Sequence, residues 1–179
     1  ESGGDPKKIP LLTYDHFLEI HRTYYHPSNS YIFLYGNMDM EEKLNFLDRE
    51  YLSDFEYLNI DTEIENQIPF EKPREIKKEF SVASEEELKK NTYLSYNVAF
   101  EHNLNQEHYL AFQILDYALC SAPGAPLKQE LLDAELGTDI YSFYDNGVKQ
   151  PYFSIVAKNT EEDKKQEFVA LVEETLEKL

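Results

Sequence analysis

Tryptophan is absent from this chain, and cysteine, methionine and glycine are scarce, at 1, 2 and 6 of 179 residues. The lone thiol, Cys120, excludes an internal disulfide and a cysteine-rich zinc knuckle, which fits a reducing compartment. Gly124 and Gly137 are not followed by a Gly-Lys-Ser/Thr string or a spaced second glycine, so no phosphate loop is present and nucleotide binding has no support. Positive charge is equally short: Lys+Arg 17 against Asp+Glu 35 leaves a formal charge of -18. Such a surface repels phosphate backbones and anionic head groups over a Debye length of about 8 Å. No nucleic acid and no membrane is expected as a partner. Long apolar runs are missing too. The strongly apolar stretch near the start, residues 31–35, falls far below the roughly 20 residues a bilayer span needs, and the first residues show neither a signal-peptide core nor an arginine-rich transit pattern.

What is present is a foldable chain. Aromatics reach 14%, with Tyr 14 and Phe 11, too many for a sequence that stays disordered for want of apolar material. At roughly 100 to 200 residues per domain, the length allows one large domain or pieces of two. Thr13 caps a predicted helix whose positions Tyr14, Phe17, Leu18, His21, Tyr24 and Tyr25 recur at three and four residue steps and bury one face, up to Pro27. Residues 30–36 read as a covered strand ending at Gly36-Asn37. Asp39 with Glu42 signals a second helix, with Met40, Leu44, Leu47 and Tyr51 on one face, ending near Asp54. From Phe55 to about Lys78 the periodicity vanishes and Pro69 and Pro73 enter, as in an extended connector.

Beyond it, residues 76–83 and 92–100 read as strands that can pair as neighbours, separated by a turn at Glu85-Glu86-Glu87. Residues 106–119 are apolar around most of a helical circumference, which predicts a central helix packed on more than one side. Pro126 opens a short helix that Gly137 ends. Residues 138–144 and 150–158 read as strands joined tightly at Asp145-Asn146-Gly147. Thr160 is placed to cap a last helix with Phe168, Leu171, Val172, Leu176 and Leu179 as its stripe. The order is α+β: an antiparallel sheet packed against helices, with an N-terminal helix-strand-helix piece.

Residue chemistry alone names no active site. His16, His21 and His26 repeat every five residues, but five residues advance about 140° beyond a full helical turn, so the imidazoles diverge. His102 with Glu107 and His108 is two residues too long for a His-x-x-Glu-His zinc motif, and Leu104 stands where the first histidine would be required. Cys120, at the end of an apolar helix with no nucleophile elbow around it, reads as a small buried hydrophobe. Tyr24, Tyr25, Tyr31, Tyr35, Tyr141, Tyr144 and Tyr152 would suit a peptide groove but suit a core rim as well. The acidic runs at residues 85–87 and 161–163 read as solvated helix starts.

The strings are more specific. Ser2-Gly3-Gly4-Asp5-Pro6, Leu12-Thr13-Tyr14, Tyr24-Tyr25-His26-Pro27-Ser28-Asn29-Ser30, Phe33-Leu34-Tyr35-Gly36-Asn37 and Leu131-Leu132-Asp133-Ala134-Glu135-Leu136-Gly137-Thr138-Asp139 closely resemble the presequence-protease branch of the pitrilysin-type zinc metallopeptidases, relatives of insulin-degrading enzyme. The resemblance covers nearly the whole chain. It implies four related α+β domains in two halves around a peptide-enclosing chamber, with residues 1–55 ending the first, catalytic-type domain, 56–75 a linker and 76–179 the first part of a second, non-catalytic domain. The family's zinc motif and its distant glutamate ligand precede the Ser-Gly-Gly-Asp-Pro stretch. No catalytic, metal or cofactor-binding residue is therefore carried over to this segment, and zinc is expected in the parent protein. The stretch with Glu135 and Asp139 around Tyr141 does not take over the Arg and Tyr that the family's last domain supplies. The resemblance implies the rest of the parent peptidase and unfolded peptides as partners, and a bacterial-type cytoplasm, or an organellar matrix, as compartment. The rival reading is an inactive peptidase-like scaffold, or a module binding peptides along a sheet edge.

Overall fold

The computed structural model describes residues 3–82, 90–100 and 105–179, and the chain divides into two compact units, Glu1–Ile64 and Glu65–Leu179. The turn expected at Glu85-Glu86-Glu87, together with Ala83 and His102, lies outside the described residues.

In the first unit, helix α1 (Tyr14–Tyr24) starts where Thr13 Oγ1 accepts a hydrogen bond from His16 N at 3.2 Å, and helix α2 (Met40–Leu47) where Asp39 Oδ1 accepts from Glu42 N at 3.0 Å. Both caps follow the expectation, because a short oxygen side chain satisfies a free N–H of the first turn. α2 runs on through a widened π-helical turn, Asp48–Leu52. Two expectations fail here. Residues 31–35 form no strand, and α1 buries no face; no described residue of this unit is buried at all. An extended segment becomes a strand only when a neighbour takes its backbone groups. Among the described residues none does.

The second unit holds the core. Strand β1 (Thr92–Ala99), helix α3 (Gln106–Asp116), helix α4 (Pro126–Asp133), strands β2 (Asp139–Asp145) and β3 (Tyr152–Thr160) and helix α5 (Lys165–Lys178) give one antiparallel sheet in the order β1-β3-β2. Register puts Leu94, Ala157 and Ile140 in one row and Val98, Phe153 and Tyr144 in another, all on one face. Against that face pack Leu119, Leu127, Leu131, Phe168 and Val172, forming the main core. The α+β arrangement, an antiparallel sheet covered by helices, is as the sequence implied.

Several local expectations are corrected. Residues 76–82 are not a strand, and β1 pairs with β3, since pairing is settled by distant partners that proximity in sequence does not specify. α3 is not wrapped on several sides: none of its residues is buried, Ile114 is 68% exposed, and only the following π-helical turn Tyr117–Ser121 buries Leu119 and Cys120. The β2–β3 connection is no two-residue turn. Asp145 pairs with Tyr152, leaving residues 146–151 as the loop, in which Asp145 Oδ1 accepts from Gly147 N at 3.0 Å and Pro151 precedes β3. Thr160 caps nothing; it is the buried last residue of β3, and α5 begins at Lys165 after a short 3-10 turn, Glu162–Lys164.

Residues 65–82 form an exposed strap without helix or strand, held to the rest of the second unit at a few points. Gln150 Oε1 accepts from Gln67 N at 2.7 Å, Lys77 Nζ lies 2.6 Å from Glu162 Oε1, Lys165 Nζ lies 2.5 Å from Glu75 Oε1, and Phe80 meets Tyr93 edge-on at 5.6 Å. The hydrogen bond from Lys77, then its charge, draws the Glu162 carboxyl below its ordinary range, and the same bond raises Lys77. A depressed carboxyl contributes above its unfolded pKa and loses that contribution as pH falls through the folded value. Salt screens such exposed pairs. Limited proteolysis should therefore cut first within residues 65–82, and faster at high salt or at pH below the ordinary carboxylate range, with mildly acid pH having no such effect; first cuts inside α3 or α4 would contradict this anchoring.

Candidate functional site

The histidines fail to converge. His16 sits beside Glu19 at 3.8 Å, His21 stacks on Tyr25 with centroids 4.9 Å apart, and His26 Nδ1 accepts from Ser28 N at 3.1 Å while its ring edge meets Phe55. Each is occupied locally. His108 and Glu107 fall in the first turn of α3, where Asn105 Oδ1 accepts from His108 N at 2.9 Å. Among the described residues no group of three or more His, Cys, Asp or Glu side chains is arranged to hold a metal ion.

Cys120 is 2% exposed, and burial pushes its thiol up despite a hydrogen bond with Ser142. Ser142 Oγ in turn donates to Asp116 Oδ1 at 2.6 Å. A thiol held protonated in an apolar wall is a poor nucleophile. It borders a cleft of about 480 Å³ that also takes in Gly124, Lys128 and Ile140. Lys128 Nζ lies 3.3 Å from Asp139 Oδ1 at that rim, so Asp139 serves an ion pair and Glu135 takes a left-handed turn (φ 54°). A second, more apolar cleft of about 690 Å³ lies in the first unit, lined by Tyr24, Tyr25, Ile32, Leu47 and Leu52. Neither cleft combines nucleophile, base and oxyanion donors. The seven tyrosines divide between the two units. Tyr24, Tyr25, Tyr31 and Tyr35 belong to the first unit, Tyr144 to the helix-covered sheet face and Tyr141 and Tyr152 to the opposite one.

The sequence reading missed how much apolar surface is bare. Tyr31, Phe33 and Tyr35 are almost wholly exposed, with Ile32 and Leu34 less so, an alternation in exposure along the run. The signal was there in the run itself, but periodicity cannot say what covers it.

Residues 11–179 match the family described as the peptidase M16 inactive domain. The chain belongs to that family. Among curated proteins it is 46% identical over 178 residues to Protein HypA of Clostridium perfringens, covering 99% of this chain and 18% of that protein. It is 36% identical over 183 residues to presequence protease 1, chloroplastic/mitochondrial, of Arabidopsis thaliana, covering 100% of this chain and 17% of the relative. To the mitochondrial presequence protease of Mus musculus it is 31% identical over 181 residues, covering 99% and 18%. The implied membership in the presequence-protease branch is met. The chain thus corresponds to a non-catalytic peptidase segment and spans less than a fifth of the length of these M16 relatives. Among the described residues no helix is long and apolar enough to cross a membrane.

Proposed function

We propose that this chain is part of the wall of a peptide-enclosing chamber in a presequence-protease-like zinc metallopeptidase that degrades unfolded peptides. The observation that carries the reading is the match of residues 11–179 to the M16 inactive domain, together with relatives named as presequence proteases. In this reading residues 1–55 end a first, catalytic-type domain, 56–75 link, and 76–179 begin a second domain. The absence of any buried residue among the described residues of the first unit supports it, since two helices and an apolar connecting segment with their side chains bare need further chain to pack on. Zinc, which would activate water, and the glutamate that would take its proton would then stand on other residues of the parent. The present residues would contribute confinement and positioning of the peptide. A bacterial-type cytoplasm or an organellar matrix is the corresponding compartment.

The test is cleavage of an unstructured basic peptide by the parent protein and by this chain alone, each with and without a chelator, followed by mass. Chelator-sensitive cleavage by the parent only is the expected result. Cleavage by the isolated chain would overturn the non-catalytic assignment, and an inert parent would favour the scaffold reading.

A further inference from the structure

Asn146-Gly147 is the one Asn-Gly pair in the sequence, and it falls in a loop that the sheet does not hold. β2 ends at Asp145 and β3 begins at Tyr152, so residues 146–151 take no part in the ladder between them. Gly147 is exposed and Asn146 half-buried. A Cβ on Gly147 would meet nothing closer than Asp145 Oδ1 at 3.6 Å, so the space beside its nitrogen is open. Gly147 N donates to Asp145 Oδ1 at 3.0 Å through an exposed bond, and the side-chain amide of Asn146 has no hydrogen-bond partner among the described residues. It is free to turn Cγ toward the next nitrogen along the chain.

Asparagines elsewhere in the fold are placed differently. Asn29 Nδ2 donates to Tyr24 O at 2.9 Å, Asn97 Oδ1 accepts from Ser154 Oγ at 2.6 Å, Asn105 Oδ1 accepts from His108 N at 2.9 Å, and Asn159 Nδ2 donates to Thr138 Oγ1 at 2.8 Å. Each of these is tied down, and each is followed by a residue that carries a side chain. Asn146 has neither restraint.

We infer that Asn146 is a self-modification site, converting to aspartate and isoaspartate through a cyclic imide formed with Gly147. Gly147 N gives its proton to hydroxide and attacks Asn146 Cγ; the new Cγ–N bond closes a succinimide ring, the Cγ–Nδ2 bond breaks, and ammonia leaves with a proton from water, which restores the hydroxide. Water then opens the ring. Addition at Cγ leaves an aspartate side chain, whereas addition at the main-chain carbonyl of Asn146 routes the backbone through the side chain as isoaspartate, and the released nitrogen regains its proton either way. The bond to Asp145 does not block the step, because exposed loop contacts open within about ns to μs, far faster than amide chemistry. The product sets a carboxylate next to Asp145, which already meets Gly147 N and the Tyr152 hydroxyl, and neighbouring like charges repel. Isoaspartate also lengthens the main chain by a methylene. The same loop carries an anchor of the strap: Gln150 Oε1 accepts from Gln67 N at 2.7 Å and Gln150 Nε2 donates to Gln67 O at 3.4 Å. Ageing at Asn146 therefore loosens the hold on residues 65–82 and leaves the core alone.

The experiment keeps the full-length parent protein, folded, at mildly alkaline pH and samples it over time. The peptide containing residue 146 is followed by mass for the exchange of NH2 for OH, and an isoaspartyl-directed carboxyl methyl transfer assay separates isoaspartate from aspartate. The wild type is expected to gain both signals, faster as pH rises and at a rate comparable with a synthetic peptide of the same loop. Gly147→Ala, for which the fold has room, should react about tenfold more slowly, because a side chain beside the attacking nitrogen raises the barrier. Asn146→Ser should give no signal at this position. A folded wild type that stays unmodified while the synthetic peptide reacts overturns the site, since the fold then restrains Asn146 after all. Equal rates in the wild type and Gly147→Ala overturn the route through Gly147 N. Aged wild type should also be cut within residues 65–82 faster than equally aged Gly147→Ala; isoaspartate without that difference overturns the effect on the strap and supports the site itself.

Discussion

Replacing Phe168 by Ala should cost about 3–5 kcal/mol of stability, the range for deleting a large aromatic from a packed core. Phe168 is 1% exposed on α5 and belongs to the cluster with Leu94, Leu131, Ile155 and Val172, so its loss would undercut the α5 contact with the sheet. At roughly 4 to 8 °C per kcal/mol for a unit of about this size, the thermal midpoint should fall by well over ten degrees. Leu179→Ala, just past the end of the same helix and 69% exposed, is the control and should stay within about 0.5 kcal/mol. Similar midpoints for the two variants would mean that α5 is not seated as described.

Gly137→Ala should also be destabilising although it adds one methyl group. A Cβ at Gly137 would stand 2.8 Å from the carbonyl oxygen of Lys158 and 3.3 Å from both Ala157 Cβ and Ile140 Cδ1. Real Cβ atoms do not approach a backbone oxygen so closely, and here the oxygen is held, because it accepts from Thr138 N at 2.9 Å. Asn159 Nδ2 donating to Thr138 Oγ1 at 2.8 Å closes the same junction. The start of β2 or the end of β3 must shift, at a cost of about 1–3 kcal/mol for the overpacking alone. Gly147→Ala, whose nearest neighbour would be Asp145 Oδ1 at 3.6 Å, should be close to neutral. Urea midpoints of the two variants decide the matter, and a wild-type midpoint for Gly137→Ala would show that the junction is looser than its distances imply.

Gly137 also shows where sequence reasoning stops. In the sequence it reads as the residue that ends the short helix, yet α4 ends at Asp133, Glu135 takes the left-handed conformation after it, and Gly137 is required for a close approach to β3. A helix end is local and legible; the carbonyl of Lys158 is not. The same division runs through the chain. Thr13 and Asp39 signalled their helices because a cap acts within three residues, and the alternation in β1 was visible for the same reason. Pairing of β1 with β3 was hidden, since some sixty residues intervene, and so was the length of the 146–151 loop, which the Asp145–Tyr152 register sets. The hydrogen-bonded group of Ser95, Asn97 and Ser154 was invisible as well, since these look like ordinary polar residues until the sheet sets them side by side. The family, by contrast, was legible in short strings without any of this.

The bare segment at residues 31–35 bears on what happens when this polypeptide is synthesised or damaged. It combines three aromatics with Ile32 and Leu34, holds no charge and no proline, and belongs to no helix or strand among the described residues. Those are the attributes of a segment that recruits copies of itself into intermolecular β-structure. Until neighbouring strands take up its edges, each nascent or nicked copy carries an adhesive ribbon, and quality control rather than catalysis becomes the first demand on it.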